Sequence, residues 1–316
     1  MMRHVVSVGD LVLDLITLVK LPIAPFEHQE IRSLEPQPGG AGNFLVMARR
    51  LGLRVSAVGA IGADLFGAQL RTMLEGEGVE MEAVAMLPGS RTTLVYALID
   101  PERHEHAFIG YNAHGPHVMY SEAMDAVVAS GDAIFMQAYN LIEQQLPAII
   151  DPILDRGDRD GIPIFFDVGP TAKHSTVERL ESVLERVNYV MMTEDEVPLA
   201  ARGQTGEAAY RHLFELGVEA LIIKQGAAGC TIVERDRQQQ VPGFPAELVD
   251  TVGAGDCFDA AFIYGYLHGY DLRRCAVLAN AAGAASVQKR GGGLNVPTCG
   301  EVRAMLGEGS EINLPC

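Results

Sequence analysis

The chain has 316 residues, which suits one large α/β domain with an appendage, and 48% of them are hydrophobic, enough for a full core. With 21% charged residues and no low-complexity run, the composition argues against intrinsic disorder. The formal net charge of −17 gives no support to nucleic acid or a membrane surface as a partner. Any phosphate should therefore be bound by backbone amides, a few placed cations or a metal.

Cysteine usage and hydropathy predict a cytoplasmic protein. The five cysteines are widely spaced and form no Cys-x-x-Cys pair, so neither a zinc site nor a disulfide framework is expected. The chain has no apolar run of the roughly 18 residues that a membrane span needs. Its N-terminus has no basic region followed by a hydrophobic signal core, so secretion is not expected.

The N-terminal segment predicts a strand, two edge strands and a glycine-rich turn. Residues 4–8 are a short apolar strand, and Asp14 follows among aliphatic residues, where it is either an ordinary edge-strand acid or a ligand-binding carboxylate. Residues 17–37 contain three prolines and favour edge strands with loops. The turn at 38–43 then opens a helix with apolar residues at i, i+3, i+4 and i+7. Asn43 could cap this helix, but the glycines before it exceed what a cap requires and suggest a ligand pressed against the backbone.

The next segments predict two further strands and a small separate sheet. Residues 55–61 form an apolar strand, a helix follows Asp64, and another strand follows Gly78. Residues 91–107 favour a strand hairpin, which could form one small sheet with residues 15–37. Phe108 and Tyr111 could stack on a base or line a sugar pocket, although the core of the small sheet is their expected place.

After residue 112 the pattern alternates between strand and helix, which predicts a parallel sheet with helices on both faces. Ligands of such sheets bind at the carboxyl ends of the strands. A capping box is expected at Thr298 and Glu301. The short apolar strands are residues 132–136, 163–167, 189–192 and 220–224, followed by antiparallel strands at 229–233 and 240–249.

Residues 250–256, Asp-Thr-Val-Gly-Ala-Gly-Asp, predict an anion-binding helix start. Glycines let the backbone approach a ligand, and the helix adds its positive end. Asp256 is either a helix-stabilising carboxylate or a proton acceptor beside a phosphate. The chain contains no Walker P-loop, no kinase-type Gly-x-Gly-x-x-Gly and no HExxH motif. Glycine-rich turns at 39–42, 226–229 and 291–293 add further sites of close backbone approach.

These motifs resemble the ribokinase-like (PfkB) carbohydrate kinases over nearly the whole chain. The segment 250–256 resembles the C-terminal signature of that family. Further similar segments are Gly39-Gly40 with Asn43 and Leu51-Gly52, the run from Val58 to Gly67, Thr92-Thr93, Gly110 to Ala113, Ala279 to Ala282, and Gly291 to Gly293 with Pro297.

The resemblance implies a role for each matching residue. Asp256 would be the general base, and the amides of Gly253, Ala254 and Gly255 would form the anion hole for the transferring phosphoryl group of ATP. Two further sets would hold the substrates and ions. The residues that would hold the sugar are Asp14, Gly39, Gly40 and Asn43, and those that would hold the nucleotide are Lys224, Gly226, Gly229, Thr251 and Asn280. Glu196 would hold Mg²⁺ through water. As in some members of the family, a monovalent cation such as K⁺ would bind near Asp250, Val252 and Gly291.

Two segments depart from the family pattern. Pro38 and Gly39 stand where the family has two glycines, so the sugar loop should differ in shape. The family's Asn-x-x-Glu becomes Thr193 to Glu196, which keeps the glutamate and replaces the asparagine. A sugar- or nucleotide-binding protein without catalysis is therefore the alternative, and a Rossmann dehydrogenase is a poorer one because no dinucleotide fingerprint follows the first strand.

The sequence thus predicts a single ribokinase-like α/β domain over residues 1–316, with a β lid from about 11–38 and 90–112. The expected function is ATP-dependent phosphorylation of a neutral pentose, hexose or nucleoside ribose, because the lid exit at 110–114 offers no arginine. Arg32, Arg91 and Arg103 keep a charged sugar, such as a sugar acid or sugar phosphate, as an alternative. Unpaired lid edges predict a homodimer through the lid.

Overall fold

A computed structural model describes residues 2–26, 28–31, 33–100, 102–103, 105–111, 115–141, 147–307 and 309–316. Arg32, His104 and the predicted lid exit at 112–114 lie outside the described residues. The strands, numbered β1 to β13 in chain order, are His4–Val8, Leu11–Leu18, Leu34–Gly40, Arg54–Gly62, Glu80–Leu87, Thr93–Asp100, Glu105–Tyr111, Ala133–Gln137, Ile164–Asp167, Tyr189–Thr193, Ala220–Lys224, Cys230–Glu234 and Arg237–Val241. The helices, α1 to α10, are Ala41–Arg50, Leu65–Gly76, Glu122–Ala129, Pro147–Asp160, Val177–Leu184, Val197–Ala200, Gly206–Glu215, Ala254–Leu267, Leu272–Ser286 and Cys299–Leu306.

The large sheet has nine strands in the order β13-β12-β11-β10-β9-β8-β1-β4-β5. The strands from β11 to β5 pair in parallel, whereas β12 and β13 pair antiparallel at one edge. A second sheet of four strands has the order β3-β2-β6-β7, with β2 and β6 parallel and the outer pairs antiparallel. The predicted fold class, a mainly parallel sheet with a small additional sheet, is confirmed.

Alternating side chains of the large sheet divide the core into two clusters. Phe135 and Phe165 pack on one face with α1, α8 and α9, and Phe44 stacks on Phe135 with ring centroids 3.9 Å apart. Ile134 and Phe166, their chain neighbours, pack on the opposite face with α4 and α5. Strands buried on both faces must be continuously apolar, which is why the sequence pattern located them correctly.

Three local expectations are wrong: the length of strand β13 and the core positions of Phe108 and of Tyr111. Strand β13 ends at Val241, and the predicted extension to residue 249 is irregular because Pro242 and Pro245 cannot donate to a ladder. The side chains of Phe108 and Tyr111 are 55% and 50% exposed and so do not form the core of the small sheet. That core consists of Val19, Leu21 and Leu98 with Ala107 packed on it.

The C-terminus carries a disulfide that cysteine spacing did not predict. Cys299 at the start of α10 is bonded to Cys316, with Cα atoms 5.9 Å apart. The hydroxyls of Tyr264 and Tyr270 donate to the carbonyl of Asn313 in the same tail. The predicted capping box of Thr298 and Glu301 is present at the start of α10. Among the residues described, no helix combines the length and apolar character needed to cross a bilayer.

Candidate active site

Four strands of the large sheet end in polar residues at one edge, and the start of α8 lies against them. Gln137, Asp167, Thr193 and Lys224 are the last residues of β8, β9, β10 and β11. Because these strands are parallel neighbours, their carboxyl ends meet at the same edge of the sheet. Helix α8 begins after Gly253, whose φ of 76° places it in the left-handed region that glycine adopts without strain.

Asp256 lies in the first turn of α8 and is held by two side-chain amides. Asn43 Nδ2 donates to its Oδ2 at 2.9 Å, and Gln137 Nε2 donates to its Oδ1 at 2.7 Å. Burial, followed by the charge of Asp167, raises the pKa of Asp256 to about 6, although the two amide hydrogen bonds oppose the shift. The carboxylate is therefore ionised at neutral pH and its pKa is close to that pH, as a general base requires.

Asn43 is the third residue of α1 and does not cap that helix, so the capping interpretation is wrong. While its amide nitrogen donates to Asp256, its Oδ1 accepts the N–H of Gly293 at 2.6 Å. A Cβ on Gly292 would lie 2.2 Å from the same oxygen. One buried side chain thus connects the first turn of α1, the first turn of α8 and the loop at 291–293.

A second group of carboxylates lies at the junction of the two sheets. Burial raises the pKa of Asp10 to about 7. Burial, with the charges of Asp256 and Asp10, also raises the pKa of Asp14 to about 7. Gly39 packs closely against Asp14, since a Cβ on Gly39 would lie 2.2 Å from Asp14 Cγ. Gly40 has a φ of 54° where strand β3 turns into α1. Asp10 and Asp14 are thus buried acids whose charged forms repel each other.

Lys224 forms a buried ionic cluster with two aspartates. Its Nζ lies 2.6 Å from Asp167 Oδ1 and 3.3 Å from each oxygen of Asp259, a side chain with no solvent exposure. Although burial lowers it, the two carboxylates raise the pKa of Lys224 above its usual range. A Cβ on Gly255 would lie 3.5 Å from this ammonium group, so the cluster lies directly beneath the first turn of α8.

Glu196 lies beyond the end of β10 in a single helical turn. The N–H of Thr193 donates to Glu196 Oε2 at 2.7 Å, and the two side chains form a capping box, which is how this chain uses the threonine that replaces the family's asparagine. Burial raises the pKa of Glu196, and the charge of Asp167 acts in the same direction. Within the described part of the chain, no group of three or more His, Cys, Asp or Glu forms a metal cluster. An acid with a second carboxylate nearby fits a metal held through water rather than by a full set of ligands.

Asn280, Gly229 and Gly226, which are predicted to bind the nucleotide, differ in how closely other parts of the chain pack around them. Asn280 Nδ2 donates to the carbonyls of Val241 and Pro242, both at 3.1 Å, and so fixes the chain after β13. A Cβ on Gly229 would lie 2.2 Å from the carbonyl of Val241, whereas one on Gly226 would meet no atom within 4 Å. Gly226 is therefore open to a ligand, and Gly229 is required by the packing of the hairpin.

Asp250 and Thr251 organise the loop that precedes α8. Asp250 Oδ1 accepts the N–H of Val252 at 3.1 Å, and its Oδ2 accepts the N–H of Gly291 at 2.9 Å. The carbonyl of Thr251 accepts the N–H of Ala254 at 3.2 Å. Of the three amides expected in the anion hole, that of Ala254 is thus engaged within its own turn.

Sequence analysis did not single out Gln137, Asp167, Asp259 or Asp10 as site residues. The first two each end a short apolar strand, and Asp259 follows Asp256 by three residues, which places it on the same side of α8. A search for polar residues at the carboxyl ends of predicted parallel strands would have found Gln137 and Asp167. Asp10 similarly follows β1 after one glycine.

This chain is similar to known proteins over nearly its whole length. Residues 2–299 match the model of the pfkB family carbohydrate kinases. A nucleoside kinase of Methanothermobacter thermautotrophicus is 25% identical over 95% of this chain and 94% of the relative, and a ribokinase of Bacillus subtilis is 27% identical over 96% and 100%. The structure of Arabidopsis thaliana ribokinase complexed with ribose and ATP superposes with a TM-score of 0.83 at 22% identity, covering 97% of this chain and 99% of that one. The chain therefore belongs to the pfkB family of carbohydrate kinases and is an ATP-dependent phosphotransferase with a ribokinase-like fold.

Proposed function

We propose that this protein transfers the γ-phosphoryl group of ATP to a hydroxyl of a neutral sugar or of a nucleoside ribose. The observation that carries the proposal is the setting of Asp256. Its carboxylate lies at the positive end of α8, and side chains from β8 and α1 fix both of its oxygens. An acid oriented in this way, beside backbone amides and away from bulk water, suits removal of a proton from an attacking hydroxyl.

In the proposed mechanism the acceptor hydroxyl donates its proton to Asp256 as its oxygen attacks the γ-phosphorus of ATP, and the bond between that phosphorus and the bridging oxygen breaks to release ADP. Charge that develops on the transferring phosphoryl group is stabilised by the α8 dipole and the anion hole. Since the N–H of Ala254 already donates to Thr251, this anion hole relies on the amides of Gly253 and Gly255. The buried Lys224 offsets the negative charge of Asp167 and Asp259 below the same turn.

We propose that Asp14, Gly39, Gly40 and Asn43 hold the acceptor. The carboxylates of Asp10, Asp14 and Asp256 influence one another's ionisation, so an acceptor with its own negative charge would be repelled. This supports a neutral sugar over the sugar acid or sugar phosphate alternative. The small sheet would close over the acceptor as a lid and exclude water, which would otherwise accept the phosphoryl group.

The cofactors proposed are ATP and Mg²⁺, with K⁺ as a candidate activator. ATP would lie along Lys224, Gly226, Gly229, Thr251 and Asn280, with Gly226 the more open of the two glycines. Glu196 and Asp167 would hold Mg²⁺ through water; when bound, this ion would neutralise charge on the phosphates. A monovalent cation would bind beside the loops that Asp250 joins, and a comparison of rates in K⁺ and Na⁺ buffers tests this.

We also propose a cytoplasmic homodimer that associates through the small sheet. Strand β7 is an edge strand, and its Ile109 and Tyr111 are 53% and 50% exposed. An exposed apolar edge strand is a site for pairing with another chain. Light scattering of the purified protein measures the mass directly, and a monomer at all concentrations would contradict the dimer.

The test of the proposed function is ADP release with a panel of sugars and nucleosides, measured for the natural chain and for Asp256→Asn. Loss of the general base should lower kcat by roughly 10²- to 10⁴-fold. ATP binding, measured by calorimetry, should persist. Asp236→Asn, in the exposed turn between β12 and β13, is the matched control and should keep the natural rate. A near-natural rate for Asp256→Asn would refute the mechanism, and binding of sugar and ATP without turnover would instead favour a binding protein.

A further inference from the structure

A cavity of about 290 Å³ extends from the proposed acceptor site between the small sheet and the loops at 248–252 and 290–291. Asp14, Asp250 and Val252 line its inner part, beside the loop that leads to Asp256. The cavity continues along the small sheet, past Ile16 and Ala97 to Phe108. The cavity therefore has room for a ligand that extends beyond the group bound at Asp14.

The register of the small sheet fixes where these side chains lie. Ile16 of β2 is opposite Ala97 of β6, and Ala97 is opposite Phe108 of β7, so the three form one row across the sheet. Asp14 precedes Ile16 by two residues and thus points to the same face, about 7 Å along the strand. Phe108 lies two strands from Ile16, roughly 10 Å across the sheet. A single sugar ring at Asp14 would not reach Phe108 at the outer end of this row.

The outer part of the cavity is lined by apolar groups that water reaches. Phe108 is 55% exposed, and on the facing loop Leu248 and Val249 are 68% and 50% exposed. Large apolar side chains exposed on two sides of one cavity mark a binding site for an apolar group. Sugar hydroxyls make no hydrogen bonds to such walls, whereas a flat ring placed between them would bury its two faces against apolar side chains.

The charges around the cavity limit which charged substituents that ring can carry. Asp14, Asp100, Glu105 and Asp250 supply carboxylates, against Arg290 as the one cation among the described lining residues. Asp100 is engaged with the backbone N–H groups of Leu21 and Glu102. An appended phosphate or carboxylate would be repelled. A neutral ring with hydrogen-bonding edges matches a rim that offers the Arg290 donors and the carboxylate of Glu105, which also pairs with Arg103 at 3.4 Å.

From this arrangement we propose that the acceptor is a nucleoside, with its ribose at Asp14 and its base between Phe108 and the pair Leu248 and Val249. The proposal rests on the proposed function and specifies the substrate class of the same site. Free pentoses and hexoses would be poor substrates because they leave the outer cavity empty. Stacking on Phe108 would contribute to the binding of any base, whereas Arg290 would favour bases with an acceptor at their outer edge.

The test compares adenosine, inosine, cytidine, ribose and fructose as acceptors at saturating ATP. We expect kcat/KM to be at least about tenfold higher for a nucleoside than for either sugar. Phe108→Ala should lower kcat/KM for nucleosides by roughly 10- to 100-fold, as loss of base stacking does elsewhere, and should affect ribose far less. Leu65→Ala is the control, since Leu65 is an exposed apolar side chain at the start of α2 and does not line the cavity.

A higher kcat/KM for ribose or fructose than for all nucleosides would overturn this proposal while leaving the kinase mechanism intact. So would an equal loss for nucleosides and ribose in Phe108→Ala. If no acceptor is phosphorylated, the proposed function fails, and calorimetry with adenosine and ribose then decides the site separately. Tighter binding of adenosine, weakened by Phe108→Ala, would support the base site, and equal binding of the two would refute it.

Discussion

Gln137 should set the acid limb of the pH–rate profile, because it is one of the two described side chains that donate a hydrogen bond to Asp256. Its Nε2 donates to Asp256 Oδ1 at 2.7 Å, and the Gln137 side chain is buried, so water cannot replace the bond. Gln137→Met keeps the length of the side chain and removes the donor. The carboxylate then loses a hydrogen bond that favours its charged state, so the pKa of Asp256 must rise.

The size of the effect follows from the hydrogen bond. Bonds to charged groups contribute about 1.5 to 3 kcal/mol, and one pKa unit corresponds to about 1.36 kcal/mol, so the acid limb should move up by about one to two pH units. In the natural protein the pKa of Asp256 is raised to about 6, chiefly by burial. With a shift of about 1.5 units, activity near pH 6.5 should fall roughly eightfold, and activity near pH 8.5 should change little.

The assay is kcat/KM for the best acceptor between about pH 5 and pH 9, because this ratio reports ionisation in the free enzyme. Gln288→Met is the matched control, since Gln288 donates only to the carbonyl of Ala284 on an exposed part of the chain. An unmoved acid limb in Gln137→Met, or an equal loss of activity at every pH, would refute the assignment of this limb to Asp256. Because Asp14 and Asp256 interact, the measured values belong to the pair.

Two further substitutions test the surroundings of the site. Gly39→Ala would place a Cβ 2.2 Å from Asp14 Cγ, so the carboxylate must move by about 1 Å, and kcat/KM for the acceptor should fall up to about 10²-fold in steady-state assays. Lys224→Met should lower the free energy of unfolding by about 3 to 5 kcal/mol in denaturant titrations, because Asp167 and Asp259 are left as buried charges without their cation.

Each of these substitutions has a control elsewhere in the chain. Gly76→Ala, in α2, meets no atom within 4 Å and should leave acceptor kinetics unchanged. Lys289→Met breaks an exposed pair with Glu301 and should change stability by less than about 1 kcal/mol. Natural acceptor kinetics in Gly39→Ala would show that Asp14 does not hold the acceptor. Stability of Lys224→Met equal to that of Lys289→Met would show that the buried cluster does not depend on its cation.

The sequence predicted the elements whose signal is local. Apolar strands such as Ile164–Asp167 are buried on both faces and therefore stand out in any window, and the glycines at 253 and 255 mark a helix start whatever surrounds it. Side chains that converge from distant strands carry no such signal. Gln137 reaches Asp256 from 119 positions away, and nothing near either residue indicates the contact before the strand order is known.

The local sequence also could not predict which side chains of the small sheet are buried. Alternation along β7 separates the two faces of the strand, but it does not say which face another layer covers. Phe108 therefore looked like a core residue although its face borders a cavity. The disulfide between Cys299 and Cys316 was missed for a related reason, since the approach of the tail to α10 depends on the packing of residues that follow the helix.

The contacts of Asn43 determine when this site can form. Its partners in Asp256 and Gly293 are 213 and 250 positions away along the chain, so its two hydrogen bonds close very large loops. During synthesis, no N-terminal fragment that ends before residue 293 can hold Asn43 as the complete protein does. Contacts of such long range form late because they require most of the chain to be ordered first. If Asp256 is the general base as proposed, we expect activity to appear only after the chain up to Gly293 has been synthesised and folded, so that the appearance of activity would report this late step.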